Sequence, residues 1–406
     1  MNHASPPPLD AEELMRGFPP PPAYRVHVGN WQAWPQKVWS FQHVDELFGT
    51  RTIRRGGTVH VLPRATRALD HLRIDVPGHG AMSWSQMLAH THTDAMVVLH
   101  RGHVIAEHYA HGMTADSRHL MFSATKSMAG LMAAVLVEEG HLDPQASVGT
   151  CLPELSNSAW ADARVRDVMD MTDGVVFTED YADPSSDIYR YVGAMGWAPQ
   201  LHQAADPRGI LAMLATLQKV HAEPRGTAFR YRSPATDVTA WLAMRAARQS
   251  LSGWLETRLW SRLGMEHDAY IMLDPIGTEV SFAGMNATAR DLARLGQLLL
   301  NHGRWGDTQL IPAAVVADLV RGGDTQAFQA DGRVTRSGWS YRSQWWVNPQ
   351  PPRSVAAIGA FGQSLYIYPE HDLVLVKFGS HPSPLASEVD PIHHHAHAAL
   401  IQELSR

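Results

Sequence analysis

The chain has 406 residues, of which 45% are hydrophobic and 18% are charged, and its formal net charge at pH 7 is −6. This composition is typical of a globular protein with a large core, and the length favours two or three domains. The mildly acidic balance offers no positive field for a phosphate backbone, so we expect no nucleic-acid partner. Cys151 is the single cysteine, which excludes an intrachain disulfide.

The chain begins with a proline-rich stretch, MNHASPPPLDAEELMRGFPPPP, which predicts an extended arm. This stretch lacks the basic residues and the apolar run of a signal peptide, and no apolar segment approaches the length of a membrane span. We therefore expect a soluble, cytoplasmic protein without a membrane partner.

Strand-like patterns lie on either side of a mainly helical middle. The run DAMVVLHRGHVIAEHYAHG from Asp94 predicts a hairpin that turns at Arg101-Gly102. Near the C-terminus are three more strand-like runs: SQWWVNP from Ser343, VAAIGAFGQSLYIYP from Val355 and DLVLVKFGS from Asp372. The pair Glu370-His371 could form the turn before the last of them. The final segment, DPIHHHAHAALIQEL, predicts a closing helix.

Helical patterns such as GILAMLATLQKVH and TDVTAWLAMRAARQSLSGWLETRLWSRLG dominate the middle of the chain. Strands at both ends around a helical insert predict an α/β (α+β) fold with two domains, an antiparallel sheet flanked by helices and an inserted, mostly helical domain. We assign residues 1–85 to the N-terminal arm and the start of the α/β domain, residues 86–144 and 281–406 to the rest of that domain, and residues 145–280 to the helical domain. A cleft between two such domains is a favoured place for a small-molecule site.

The stretch HLMFSATKSMAGLMAAVLVEEGHLDP places a serine three residues before a lysine, at the start of a predicted helix with one buried face. Residues three apart share a helix face, so Ser123 Oγ and Lys126 Nζ can meet. A lysine that burial keeps neutral could take the hydroxyl proton, and the helix N-terminus would favour negative charge on Oγ. The structural alternative is that Ser123 only caps the helix.

Several segments of the chain follow one another in a specific order. The motif S-x-x-K is Ser123-Ala124-Thr125-Lys126, preceded by VLHRGHVIAEHY and followed by VRDVMDMTDGV, by FRYRSPATD, and by NATARDLARLGQLLL from Asn286. This order resembles the serine β-lactamase and penicillin-recognising superfamily on its class C and esterase side, and within it the 6-aminohexanoate-dimer hydrolases. The resemblance runs from about residue 90 to the end and implies a β-lactamase-like fold.

The resemblance implies a role for each matching residue. Ser123 would be the nucleophile, Lys126 its general base, and Tyr231, in the motif Tyr231-Arg232-Ser233, the relay that passes the proton to the departing amine or alcohol. Without the motif, Tyr231 would be interpreted as an ordinary core tyrosine. Ser233 stands where the family commonly has asparagine, as a substrate contact.

The third family motif, K-T-G or H-T-G, falls at Ala357-Ile358-Gly359. Gly359 fits a strand that must let the substrate approach closely. The basic residue of the motif is missing, which argues against β-lactam or D-Ala-D-Ala substrates. The backbone N–H groups of Ser123 and Ala360 would form the oxyanion hole, where one donor is worth about 3–4 kcal/mol.

Aromatic residues provide further candidate contacts. FTEDYADPSSD resembles the loop that holds a substrate-contacting tyrosine in the amidases, here Tyr181, and GAMGWAP resembles their lid, with Trp197 over the substrate. Both residues could instead anchor their loops to the body of the protein. The rings of Trp345 and Trp346 point to opposite faces of a strand, so one of them could reach the cleft.

The sequence implies no cofactor. His393 and His397 are four apart on the closing helix, but no segment supplies a recognisable third metal ligand, so we interpret them as part of a partly exposed helix face and predict no metal. The phosphate-binding glycine fingerprints and the G-x-S-x-G elbow are absent from the sequence.

The function expected from these motifs is that of a serine hydrolase that cleaves short linear amides or esters through an acyl-enzyme, such as a 6-aminohexanoate-dimer hydrolase. A short-chain carboxylesterase, a D-amino-acid peptidase or β-lactamase, and a binding protein that has lost catalysis are the alternatives. The expected partner is a small-molecule amide or ester, and a homodimer is possible.

Overall fold

The structure, a computed structural model, describes residues 10–204, 206–218, 223–332, 334–385 and 389–406. The first nine residues of the proline-rich arm and the end of the predicted helix GILAMLATLQKVH lie outside these ranges. Within them the strands are β1 (Thr50–Ile53), β2 (Ile74–Val76), β3 (Gly80–Met82), β4 (Thr93–His100), β5 (His103–Tyr109), β6 (His119–Leu120), β7 (Ala269–Met272), β8 (Met285–Ala287), β9 (Arg304–Trp305), β10 (Thr308–Gln309), β11 (Ser340–Arg342), β12 (Trp345–Asn348), β13 (Ser354–Gly359), β14 (Gln363–Tyr368) and β15 (Leu373–Gly379).

The helices follow the same numbering along the chain. Those in the described ranges are α1 (Lys37–Ser40), α2 (Trp84–His90), α3 (Lys126–Glu138), α4 (Val148–Cys151), α5 (Val165–Met169), α6 (Asp187–Ala194), α7 (Ile210–Leu214), α8 (Ser233–Ala247), α9 (Leu251–Leu255), α10 (Ala289–Leu300), α11 (Ala313–Arg321), α12 (Thr325–Gln329) and α13 (Asp390–Leu404). Among the described residues, none of these helices has the length and apolar character needed to cross a membrane.

A seven-stranded sheet in the order β11-β12-β13-β14-β15-β4-β5 forms the framework of the molecule, and all of its neighbouring strands run antiparallel. Every residue of β4 and β15 is buried, because α10 packs on one face of the sheet and α13 on the other. The predicted hairpin is confirmed, since β4 and β5 pair around a turn in which Arg101 and Gly102 both have positive φ.

The segment from Val355 to Tyr368 differs from its prediction as a single strand-like run. It is a hairpin of β13 and β14, and the chain reverses at Ala360–Gly362, where Phe361 has φ 61° and Gly362 has φ 93°. These two left-handed residues turn the backbone within three positions, which alternating hydrophobicity alone does not reveal.

A second sheet has four strands in the order β1-β7-β8-β6, and its strand β6 comes shortly before the predicted nucleophile in the sequence. Strand β1 comes from the N-terminal region, β6 precedes the S-x-x-K motif, and β7 and β8 follow it near the end of the predicted helical domain. Distant parts of the chain therefore hold β6 in place. The backbone N–H of Met121, the next residue, donates to the carbonyl of Met285 at 2.8 Å. The division of the chain into domains stays a prediction.

Helix α3 is buried on all sides from Lys126 to Leu136, and the prediction of a single buried face was therefore wrong. The helix runs through the interior, where α8, α9 and β12 pack around it. Ser123 precedes the helix in a 3₁₀ turn, Phe122–Thr125, and Thr125 occupies the N-cap position. The alternative that Ser123 is a helix cap is therefore also wrong.

The closing helix is confirmed, but the prediction that its histidines lie on a partly exposed face was wrong for His393 and His397, which are both buried against the sheet. Tyr368 OH lies 2.8 Å from Nδ1 of His397. Burial lowers the pKa of His397 to about 3 and that of His393 well below its usual value, so both rings are neutral at pH 7.

Candidate active site

The nucleophile turn is held in a strained conformation. Phe122, directly before Ser123, has φ 44°, a left-handed conformation that is costly for a bulky residue. Its ring stacks on Trp31 with centroids 6.2 Å apart and packs edge-on against Phe41 at 4.7 Å. This aromatic packing stabilises the turn, and Ser123 remains partly exposed in the cleft while its neighbours are buried.

Lys126 is 1% exposed and reaches back over the turn to Ser123. Its Nζ donates to Ser123 Oγ at 2.9 Å and to the carbonyl oxygen of Phe282 at 3.1 Å. The rings of Tyr231 and Phe282 lie 5.0 and 4.9 Å from Nζ and enclose the amine on two sides. This arrangement puts the amine within proton-transfer distance of the hydroxyl and limits its access to water.

Tyr231 comes two residues before α8 and lines the same cavity as Ser123. Its ring stacks on Trp346, with centroids 5.5 Å apart and an angle of 26° between the planes. Trp346 therefore faces the cleft, whereas Trp345 is fully buried. The three residues predicted to be catalytic, Ser123, Lys126 and Tyr231, thus meet at one place.

The turn between β13 and β14 forms the opposite wall. Ala360 lines the cleft together with Ser123, as its predicted partnership in an oxyanion hole requires. A Cβ at Gly359 would lie 2.3 Å from the carbonyl oxygen of Met121 and 3.1 Å from the backbone nitrogen of Ala124. Gly359 lines the cleft as predicted, but its missing side chain makes room for the nucleophile turn itself.

Two cavities meet at the nucleophile, and they share Ser123, Tyr181, Ala360 and Pro384. The first, of about 330 Å³, contains Tyr231 and three charged residues, and we call it the relay cavity. Its lining residues are Ser123, Glu179, Tyr181, Tyr231, Thr335, Arg336, Trp346, Ile358, Gly359, Ala360, Pro384, Leu385 and Asp390.

The second cavity, of about 270 Å³, is mostly apolar and aromatic, and we call it the apolar cavity. Its lining residues are Gln32, Lys37, Phe122, Ser123, Tyr181, Ile188, Tyr189, Val192, Trp197, Phe282, Ala283, Ala360, Phe361, Pro382 and Pro384. The N-terminal region thus contributes to the cleft, which its sequence did not indicate.

Glu179 organises the predicted substrate contacts on one side of the cleft. It accepts hydrogen bonds from Tyr181 OH at 2.6 Å, and from the backbone N–H and Oγ of Ser233 at 2.7 and 2.8 Å. Tyr181 lines both cavities, as its prediction requires. Ser233, in contrast, is fully buried behind Glu179 and lines neither cavity, so its predicted contact with substrate is replaced by a contact with Glu179.

Trp197 forms a wall of the apolar cavity and is 4% exposed. Its ring meets Trp31 edge-on at 5.3 Å, and its backbone carbonyl accepts a hydrogen bond from Trp31 Nε1 at 3.0 Å. It packs at 5.7 Å from Phe282. The predicted lid residue is therefore docked against a tryptophan from the N-terminal region.

A buried carboxyl group lies behind the catalytic lysine. Asp237, on α8, accepts hydrogen bonds from Tyr191 OH at 2.7 Å and from the backbone N–H of Phe282 at 3.2 Å. Burial raises the pKa of Asp237 to about 7, while Tyr191 and the charge of Lys126 act in the opposite direction. Asp237 thus fixes the segment whose carbonyl binds Lys126.

Three residues of the cleft and its support, Lys37, Glu179 and Asp237, were missed by the motifs. Glu179 stands two residues before Tyr181 in the same recognised loop, and Lys37 is one of only four lysines in the chain. The position of Glu179 in that loop and the rarity of lysine in the chain could have marked Glu179 and Lys37 as candidates. Asp237 carries no local signal, because its position is defined by contacts with segments 46 and 45 residues away.

The chain is similar to known proteins in sequence and in fold. The family model described as Beta-lactamase matches residues 85–400. The chain belongs to the beta-lactamase family. This confirms the fold class and the superfamily resemblance seen in the sequence.

One relative of this beta-lactamase-family protein is the 6-aminohexanoate-dimer hydrolase of Paenarthrobacter ureafaciens, 32% identical over 369 residues that cover 90% of this chain and 91% of the relative. A Bacillus anthracis structure described provisionally as a 6-aminohexanoate-dimer hydrolase superposes with a TM-score of 0.84 at 28% identity, covering 95% of this chain and 97% of the other. A family VIII carboxylesterase shares the fold with a TM-score of 0.55 at 17% identity, covering 75% of this chain and 92% of the other.

These relationships make the protein a serine hydrolase of this family. They do not assign the roles of individual residues, which therefore remain predictions supported by the geometry of the cleft.

Proposed function

We propose that this protein hydrolyses short linear amides and esters through an acyl-enzyme at Ser123, as a 6-aminohexanoate-dimer hydrolase-like enzyme. The observation that carries the proposal is the 2.9 Å contact between Lys126 Nζ and Ser123 Oγ at the point where two cavities meet. One cavity can take the acyl chain and the other the leaving group.

The acylation step follows from the positions of these groups. Lys126 Nζ accepts the hydroxyl proton while Ser123 Oγ forms a bond to the carbonyl carbon of the substrate. The backbone N–H groups of Ser123 and Ala360 bind the oxygen that becomes negative. The proton then passes through Tyr231 OH to the departing nitrogen or oxygen, and the bond between this atom and the carbonyl carbon breaks.

Deacylation reverses these proton movements. Water attacks the ester carbonyl of the acyl-enzyme and gives a proton to Lys126, which returns it to Ser123 Oγ as the acid leaves.

Expulsion of an amine depends more on proton delivery than expulsion of p-nitrophenolate does, because an amine anion is the poorer leaving group. We therefore expect esterase activity to accompany amidase activity, and a short-chain carboxylesterase is the second candidate.

Two alternatives receive less support. The third motif, K-T-G or H-T-G in the family, begins here with Ala357 in place of a basic residue. This difference disfavours a β-lactamase or a D-amino-acid peptidase. The contact of Lys126 with Ser123 and the placement of Tyr231 beside them disfavour a binding protein without catalysis. Labelled penicillin tests the first alternative, and a broad serine-hydrolase probe tests the second.

The experiment compares the wild type with Ser123→Ala on p-nitrophenyl butyrate and on the linear 6-aminohexanoate dimer. We expect the variant to lose both activities by at least about 10³-fold, whereas Ser156→Ala, at an exposed serine, keeps them. Ester turnover without dimer turnover would retain the mechanism and discard the dimer as substrate. An active Ser123→Ala variant would contradict the proposal.

A cytoplasmic location and a homodimer also belong to this proposal. Cell fractionation tests the location, and light scattering coupled to size-exclusion chromatography tests the dimer.

A further inference from the structure

Lys37 presents a buried ammonium group to the apolar cavity. The residue starts α1, lines the cavity and is 2% exposed. Its Nζ donates to the carbonyl oxygens of Pro382 at 2.8 Å and His381 at 3.4 Å, and lies 4.3 Å from the centre of the Phe361 ring. These contacts orient the amine, and one of its three N–H donors has no hydrogen-bond acceptor in the described part of the chain.

Among the lysines in the described ranges, Lys37 differs in having no carboxylate of a described residue beside it. Lys126 interacts electrostatically with the carboxyl group of Asp237, and Lys377 with those of Asp94 and Asp390. Within the described residues, the polar and cation–π contacts of Lys37 Nζ are with two backbone carbonyls and one ring. A buried cation without a counter-ion is costly, and an anionic ligand would remove that cost.

Lys37 is also the one charged residue among those that line the apolar cavity in the described part of the chain. The relay cavity, in contrast, contains Glu179, Arg336 and Asp390, and Arg336 already pairs with Asp390 at 2.6 Å. The two sides of the cleft therefore differ in the charge that they offer to the two ends of a substrate.

The position of Tyr231 decides which side takes which end. Tyr231 lines the relay cavity and not the apolar cavity. Because the leaving group must lie where its proton arrives, the leaving group occupies the relay cavity and the acyl chain occupies the apolar cavity. The far end of the acyl chain then approaches Lys37.

We propose that Lys37 binds a carboxylate at the far end of the acyl chain, so that the preferred substrates are monoamides or monoesters of aliphatic dicarboxylic acids. This inference rests on the proposed function and specifies its substrate class. A 6-aminohexanoyl chain in the same position would bring its ammonium against that of Lys37, and like charges repel there. The residue is a specificity determinant and takes no part in bond cleavage.

The test uses three p-nitrophenyl esters of equal chain length, which end in a carboxylate (monoadipate), a methyl group (hexanoate) or an ammonium (6-aminohexanoate). For the wild type we expect kcat/KM to fall in that order, with the adipate at least about tenfold above the 6-aminohexanoate, since one charge-assisted contact supplies this much. Equal values, or a preference for the ammonium ester, would overturn the inference.

Lys37→Met should reduce the ratio of adipate to 6-aminohexanoate turnover by at least about tenfold. Arg353→Met removes an exposed positive charge from a residue that lines neither cavity and should leave the ratio as in the wild type. A Lys37→Met enzyme that keeps the wild-type ratio would contradict the inference. Absence of turnover of all three esters by the wild type would instead contradict the proposed function.

A pH series on the wild type gives a readout that does not depend on the folding of a variant. Burial lowers the pKa of Lys37 to about 8, so its charge is mostly present at pH 7 and mostly absent at pH 9. The ratio of adipate to hexanoate turnover should therefore fall as pH rises through this range, or somewhat higher if the bound carboxylate raises the pKa. A ratio that stays constant from pH 6.5 to 10 would contradict the inference.

Other titratable groups lie near Lys37 in the ranges that the structure describes. Tyr181 and Tyr189 line the same cavity, and burial raises the pKa of Tyr189. His381, whose carbonyl oxygen Lys37 binds, has its ring 5.4 Å from the ring of His92, and burial lowers the pKa of His92. Titration of the catalytic groups changes the turnover of both esters by the same factor, so it cancels in the ratio.

Discussion

Replacing Gly359 by alanine should reduce activity by moving the nucleophile turn relative to Ala360. The added Cβ would lie 2.3 Å from the carbonyl oxygen of Met121, whereas ordinary contacts begin at 3.4 Å, so the backbones must separate by about 3.4 − 2.3 = 1.1 Å. Both contacting segments are backbone, and a side-chain rotation cannot relieve the overlap. A displacement of about 1 Å at a reacting group costs on the order of 10²-fold in rate.

The same overlap should lower stability by about 1–3 kcal/mol, the usual cost of overpacking. The assay is kcat/KM for p-nitrophenyl butyrate, corrected for the fraction of enzyme that reacts with a serine-directed phosphonate, together with Tm. Gly57→Ala is the matched control, because a Cβ at this exposed glycine meets no atom within 4 Å. A Gly359→Ala enzyme with kcat/KM within about twofold of the wild type would refute the argument that this glycine sets the spacing of the cleft.

Three further predictions test the support of the site. Tyr231→Phe keeps the stacking on Trp346 but removes the hydroxyl, so kcat should fall by about 10²–10⁴-fold for an amide and much less for a p-nitrophenyl ester; equal losses would argue against a relay role. Asp237 has its pKa raised from 3.8 to about 7 in the folded state, so its contribution to stability is fully present below pH 3.8 and is lost as pH rises through 7. The free energy of unfolding of Asp237→Asn relative to the wild type should therefore increase between pH 5 and 8, by up to about 2.5 kcal/mol in urea titrations, and a difference independent of pH would exclude this linkage. Gly130→Ala places a Cβ 1.9 Å from the carbonyl oxygen of Ser343 and should lower Tm, even though alanine is more favourable than glycine in a helix by about 1 kcal/mol. An unchanged or higher Tm would show that α3 and the backbone at Ser343 can move apart without cost.

The family resemblance carried most of what the sequence revealed about the site. Ser123 and Lys126 are three residues apart, so a local motif was enough to bring them together. Tyr231 is 105 positions from Lys126, and only the resemblance connected it with them before the structure placed its ring 5.0 Å from Nζ. The contact between Ser233 and Glu179 was not predicted, because the motif gives the residue types and not the direction of their hydrogen bonds.

The errors in the fold prediction have a common cause. A period of 3.6 marked the apolar face of α3 correctly. It could not show that a small residue such as Gly130 allows the backbone of the turn between β11 and β12 to pack on the opposite side of the helix. Likewise, alternating hydrophobicity located β13 and β14 but not the reversal at Phe361, whose left-handed backbone is stabilised by ring contacts with Phe122 and Phe41. In both places, packing by residues distant in sequence overrode the local pattern.

The sequence by itself determined the fold class, the positions of the hairpin and the closing helix, and the identity of the serine and the lysine, because these depend on periodicity and on short-range spacing. The tertiary structure decided the charge and shape of the cleft. Lys37 comes from α1, and the carbonyls that orient it follow β15, some 344 and 345 residues along the chain. No local pattern encodes such a contact, since it exists only after two sheets and the N-terminal region have packed around Ser123.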